Sequence, residues 1–175
     1  MKALIFDVDG VLIEADDRIR IKKYRKLFKD GLKLAKSPDY DGSKWIFDKL
    51  KSQYDLGVRI NPRHYKLINK NTAKILKKLS EKYLLCVTSW ADQGITREKL
   101  VATGIWKYFE GGFIKGEELE NGRTPHFTFF QIDEVVRVDD RPKKMTQYFI
   151  KFEYGQYKGQ KCEADQYIEN LEGLL

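Results

Sequence analysis

Two carboxylates one residue apart, Asp7 and Asp9, close an apolar run, Ala3-Leu4-Ile5-Phe6, and Gly10 follows at once. Buried strands read as short apolar runs, and α/β sheets bind ligands just past the carboxyl ends of their strands. Carboxylates at such a place are expensive to pack and useful for chemistry. They can hold a hard cation and divide the roles of nucleophile and general acid/base. The plain alternative is a strand followed by an Asx-type turn. A second acidic pair, Asp139-Asp140, ends the run Val135-Val136-Arg137-Val138. Adjacent aspartates at a buried strand end repel each other unless a cation sits between them.

The elements that must position these groups alternate in type. Residues 3 to 7 read as a strand, with Val8 to Ile13 as its exit loop. Asp16 or Asp17 can cap a helix to about Lys29, and Ser43 can open another that ends before Gly57. Asn71 or Thr72 caps a helix carrying Ile75, Leu76 and Leu79. Tyr83 to Val87 is a strand ending in Thr88-Ser89, and Thr96 to Thr103 a helix closed by Gly104. Phe113-Ile114, Val135 to Val138 and Tyr148 to Phe152 are strands, and Ala164 to Leu174 a last helix. Strands alternating with helices predict a mainly parallel sheet with crossovers.

Length and composition agree with this. A chain of 175 residues can bury a proper core, so one domain with an insertion is expected. Hydrophobic residues at 42% and charged residues at 34% describe a soluble globular protein, and the apolar runs are far too short for a membrane span. The first strand begins at about residue 3, which leaves no room for a signal peptide and predicts a cytoplasmic location. Cys86 reads as a small core residue, and a disulfide to Cys162 is not expected. His64 and His126 are isolated, as packing or surface residues are.

The run Asp7-Val8-Asp9-Gly10-Val11 resembles the first motif, DxDG[TV], of the haloacid dehalogenase superfamily. The rest of the chain supplies the other motifs in order. Thr88 after an apolar strand is similar to the second, where its hydroxyl and the Ser89 N–H would bind a phosphate oxygen. Asp139-Asp140 is similar to the fourth in its "DD" form, where the acidic residues complete a Mg²⁺ shell; which of the two is the inner ligand stays open. The third, a cation ahead of a proline, fits Arg123 with Pro125 best, and Lys115 competes for that role. The resemblance spans almost the whole chain. It implies a Rossmann-like α/β core of about five parallel strands in the order 5-4-1-2-3, formed by residues 1–13 and 72–175. A small helical cap of the C1 type would occupy residues 14–71.

The function implied is that of a Mg²⁺-dependent phosphatase. Asp7 would form an aspartyl-phosphate, and Asp9 would be general acid and base. Thr88 and Arg123 would hold the phosphate. The metal would sit on Asp7, the backbone carbonyl of Asp9, and Asp139 or Asp140. Dehalogenases of the superfamily generally lack the second Asp of the first motif, because a halide leaving group needs no proton.

The charge distribution bears on substrate. Residues 14–71 hold 16 Lys/Arg and 8 Asp/Glu, whereas the remainder holds 17 and 18, so the whole surplus of the +7 chain lies in the insertion. Such residues form a solvated face or collect an anionic substrate. A small phosphorylated metabolite is the expected partner. Nucleotides or nucleic-acid ends are the alternative, with Lys22, Lys23, Arg25 and Lys26 beside Tyr24 and Trp45. A third reading is a silenced platform carrying a protein-binding module. The sequence says nothing of oligomeric state.

Overall fold

The structure is a computed structural model, described at residues 1–14, 65–89, 93–116, 119, 130–142 and 147–175. Most of the predicted cap, with Lys22, Lys23, Tyr24, Arg25, Lys26 and Trp45, lies outside the described residues, as does Arg123.

Strand β1 spans Lys2–Asp7 and lies at the middle of a six-stranded parallel sheet. Its neighbours are β2 (Leu84–Ser89) on one side and β4 (Glu134–Asp139) on the other. Beyond β2 comes β3 (Phe113–Lys115), and beyond β4 come β5 (Tyr148–Phe152) and β6 (Gln166–Ile168). The order is therefore 6-5-4-1-2-3: the expected five-strand order with one more strand at the edge. Helix α1 (Thr72–Ser80) precedes β2, and α2 (Gln93–Ala102) follows it.

The additional strand corrects the helix expected over residues 164–174. Ile168 and Leu171 are spaced as on a helix face, and both are buried in the larger core cluster. Pairing with β5 decides otherwise. The Asp165 amide donates to the Phe149 carbonyl (2.9 Å), and the Phe149 amide donates back to Asp165 Oδ2 (2.7 Å). The chain thus enters the sheet edge, and a 3₁₀ turn, Leu171–Leu174, brings Leu171 inward. At the start of α1 the Asn71 side chain makes no capping bond; the Asn69 side-chain oxygen accepts from the Asn71 amide instead (2.8 Å).

Alternation along the strands sorts the core. Leu4 and Phe6 of β1, Leu85 and Val87 of β2, and Val136 and Val138 of β4 join the larger cluster on one face. Ala3, Ile5, Leu84 and Cys86 join a smaller cluster on the other. Period two then sends Asp7, Thr88 and Asp139 to the smaller-cluster face at the carboxyl end. Cys86 and Cys162 are both free, as expected, with Cys86 buried. Among the described residues no helix is long and apolar enough to cross a membrane.

The described segments on either side of residues 15–64 meet directly beyond Asp9. The Glu14 amide donates to the Lys66 carbonyl (2.8 Å), and the Ile68 amide to the Leu12 carbonyl (3.0 Å). Residues 12–14 and 66–68 are thereby tied to each other a few residues from Asp9.

Candidate active site

The register of the sheet builds the site. Asp7 lies opposite Thr88, and Phe6 lies opposite Val138, so Asp139 comes one step beyond on the neighbouring strand. One oxygen from each of Asp7, Asp139 and Asp140 lies within 4.8 Å of the others, and all three residues are buried. Such a group of oxygen donors suits a hard dication such as Mg²⁺ better than a soft metal.

Gly10 makes room for the cluster. Its φ of +92° is one that L side chains rarely adopt, and a Cβ there would collide with the Asp140 carboxylate. The turn around it is closed by the Gly10 amide donating to the Ile13 carbonyl (2.9 Å) and by the Leu12 and Ile13 amides donating to the Val8 carbonyl (both 3.0 Å).

The two adjacent aspartates have different surroundings. Arg137 Nη2 donates to Asp139 Oδ2 (2.8 Å), and the Arg141 amide donates to Asp139 Oδ1 (3.0 Å). Asp140 is pushed up to about 7 by burial and then by the negative charge of Asp139. Asp7 is raised well above the usual carboxylate range, first by burial, then by Asp139, with Asp140 and Asp9 adding and Arg141 opposing. The field of these carboxylates in turn raises the Arg141 guanidinium, against the effect of its burial. The expected repulsion between the two aspartates is thus met in part by the chain's own cations.

Thr88 is 1% exposed, and among the described residues its Oγ1 has no hydrogen-bond partner. A buried hydroxyl left without a partner costs about 1–3 kcal/mol, so a ligand oxygen beside Asp7 would recover that cost. Ser89 is buried at the same strand end. Lys115 lies on β3 opposite Ser89, exposed and two strands from Asp7, or about 10 Å at ordinary strand spacing.

Asp9 is held from a direction the sequence reading missed. Lys99 of α2, only 2% exposed, places Nζ 3.0 Å from Asp9 Oδ1 and 2.8 Å from Oδ2. Arg137, Arg141 and Lys151 were missed as well. Lys151 is fully buried on β5 opposite Asp139, with Nζ on Glu153 Oε1 (3.1 Å) and the Tyr157 carbonyl (3.0 Å). The signal for Arg137 and Lys151 was available, since each interrupts an apolar strand. Lys99 follows the buried Ile95 by four residues, the spacing of one helix face.

No protein-family model and no curated protein matches the chain. Solved structures do. A haloacid dehalogenase-like family hydrolase from Streptococcus pneumoniae superposes with a TM-score of 0.61 at 15% identity, over 98% of this chain and 95% of that one. A protein assigned as a beta-phosphoglucomutase from Thermotoga maritima gives 0.61 at 17%, over 100% and 97%. A protein assigned as a HAD-hydrolase from Bacillus subtilis, in a structure bound to magnesium, gives 0.58 at 12%, over 99% and 96%. A dehalogenase is also among the matches, with a TM-score of 0.58 at 13% identity over 99% and 95%. Identities this low carry the fold alone: the chain has the α/β fold of haloacid dehalogenase-like hydrolases.

Proposed function

We propose that this chain is a Mg²⁺-dependent phosphomonoester hydrolase of the haloacid dehalogenase superfamily, with Asp7 as nucleophile and Asp9 as general acid and base. The observation that carries the reading is a single sheet end holding two things: a buried cluster of Asp7, Asp139 and Asp140, and beside it the Thr88 hydroxyl, which has no partner among the described residues. The first suits a hard cation and the second an anionic oxygen.

The donor set fits Mg²⁺: carboxylate oxygens converging within 4.8 Å of one another, with Gly10 leaving room for the Asp140 carboxylate. Asp7, Asp140 and the Asp9 carbonyl would hold it. Asp140 is favoured over Asp139 as inner ligand because Arg137 and the Arg141 amide already bond both oxygens of Asp139. When bound, the ion would neutralise the clustered charge and polarise a phosphoryl oxygen.

The chain's own residues do the rest. An Asp7 oxygen attacks phosphorus as the ester P–O bond breaks, and Asp9 gives its proton to the departing oxygen. Asp9 then takes a proton from water, which attacks phosphorus and releases Asp7 and inorganic phosphate. The Thr88 hydroxyl and the Ser89 N–H donate to the phosphoryl oxygens. Arg123 would supply a further positive charge, with Lys115 the alternative. Asp9 favours ester hydrolysis over dehalogenation, since departure of a halide needs no proton donor.

Residues 14–71 would form the cap, and its net positive charge favours a small anionic phosphate ester in the cytoplasm. Action on nucleic-acid ends would require binding that weakens steeply with salt, and a flat salt series would remove it. The test of the main reading is phosphate release from a panel of sugar phosphates, phospho-acids, nucleotides and p-nitrophenyl phosphate, with Mg²⁺ and with EDTA. Turnover that needs Mg²⁺ and vanishes in Asp7→Asn is expected. No metal-dependent turnover across the panel, or turnover retained by Asp7→Asn, would overturn it.

A further inference from the structure

Lys99 has no packing reason to be a lysine. It stands on the buried face of α2 with Ile95, Thr96 and Leu100 and is 2% exposed. An apolar side chain would fill that position without the cost of burying an ammonium, which amounts to several kcal/mol unless the charge is well paired. The pairing found is specific. Nζ reaches both oxygens of Asp9, at 3.0 and 2.8 Å, across 90 residues of sequence. The Tyr65 ring has its centroid 5.8 Å from the same nitrogen. The Asp9 side chain is 25% exposed, so the grip leaves part of it uncovered.

We infer that Lys99 is a positioning residue that holds the Asp9 carboxylate in the orientation from which it accepts a proton from water. The inference rests on the phosphatase reading and adds a residue and a step to it. A two-point hold on one carboxylate fixes its rotamer, and the alignment of a base with its water is sensitive to small displacements. The step that depends on Lys99 is therefore hydrolysis of the phosphorylated Asp7. Formation of that species from an ester with a good leaving group needs little help from Asp9.

The test is pre-steady-state kinetics on p-nitrophenyl phosphate with Mg²⁺, in wild type, Lys99→Met and Lys99→Arg, with crystal structures of wild type and Lys99→Met. In Lys99→Met the burst of p-nitrophenol, which reports phosphorylation of Asp7, should keep its amplitude and rate. The steady-state kcat should fall at least tenfold, and Lys99→Arg should recover part of it. The Asp9 side chain should occupy more than one rotamer in Lys99→Met. A role in folding alone would lower burst and steady state together, and that result overturns the inference, as does an unchanged kcat. Absence of turnover in wild type would count against the phosphatase reading and remove the step assigned to Lys99. The structural claim is then judged by the crystals, where an Asp9 that keeps its single rotamer without the lysine refutes it.

Discussion

Asp140→Asn should make the metal-free protein more stable, and the gain should depend on pH. Burial and the neighbouring Asp139 move the Asp140 carboxyl from 3.8 to about 7. At about 1.4 kcal/mol per pKa unit, that places roughly 4 kcal/mol against its ionised form in the folded state. Between about pH 4 and pH 7 the folded carboxyl keeps a proton that the unfolded chain has released. The folded state then binds more protons, so wild-type stability falls as pH climbs through this window and levels off above it. Asparagine has no proton to lose. In EDTA the variant should therefore gain little at about pH 4 and up to roughly 4 kcal/mol at pH 8. For a chain of this size that is a rise in Tm of about 8–16 °C. Mg²⁺ should narrow the gap: saturation at a hundred times Kd stabilises wild type by about 2.7 kcal/mol and the variant by less. Thermal unfolding by circular dichroism, at several pH values with EDTA or Mg²⁺, measures all of this. A variant less stable than wild type in EDTA at pH 8, or an equal gap at both ends of the pH range, would refute the reasoning.

Three other substitutions separate the roles of neighbouring residues. Thr88→Val removes a buried hydroxyl that lacks a partner among the described residues, so stability should hold or rise by up to about 1 kcal/mol in a denaturant titration while kcat/KM falls at least tenfold. Gly10→Ala combines a strained φ with a collision against Asp140; a loss of about 2 kcal/mol is expected, with loss of the Mg²⁺-induced rise in Tm. Arg137→Met leaves Asp139 buried beside one amide donor and should cost about 3–5 kcal/mol, most of it recovered in the double variant with Asp139→Asn. If the double variant is no more stable than the single one, the ion pair is not what the arginine contributes.

The carboxyl ends of the central strands were legible in the sequence, because buried parallel strands are mainly apolar runs and their polar terminations stand out. Asp7, Thr88 and Asp139 each close such a run, and the pleat then brings them to one face. The order of the strands followed from the resemblance. The edge was less legible. Ile168 and Leu171 satisfy helical spacing, and pairing with a strand sixteen residues earlier, Ile150 opposite Gln166 and Phe152 opposite Ile168, makes the segment a strand. Partners distant in sequence were not legible at all: nothing in either local segment announces that Lys99 meets Asp9. Arg137 and Lys151 could have been flagged, since a charge inside a buried strand must find a partner or a task.

Those hidden cations change what the acidic motifs mean. Four carboxylates at one sheet end would resist folding before any metal arrived. Lys99 is bonded to Asp9 and Arg137 to Asp139, while Arg141 opposes the rise of Asp7 and Asp140 and Lys151 opposes that of Asp140. The cations do not share the cluster evenly. Asp139 has both oxygens bonded. Asp7 and Asp140 are held above the usual carboxylate range, first by burial. If the site holds a dication as proposed, Asp140 would have to give up its proton to it, so the affinity should rise as pH climbs through about 7. The same balance leaves Asp7 without a basic side chain bonded to it among the described contacts. Among the described residues, the charged groups that shift Asp7 act on it at a distance.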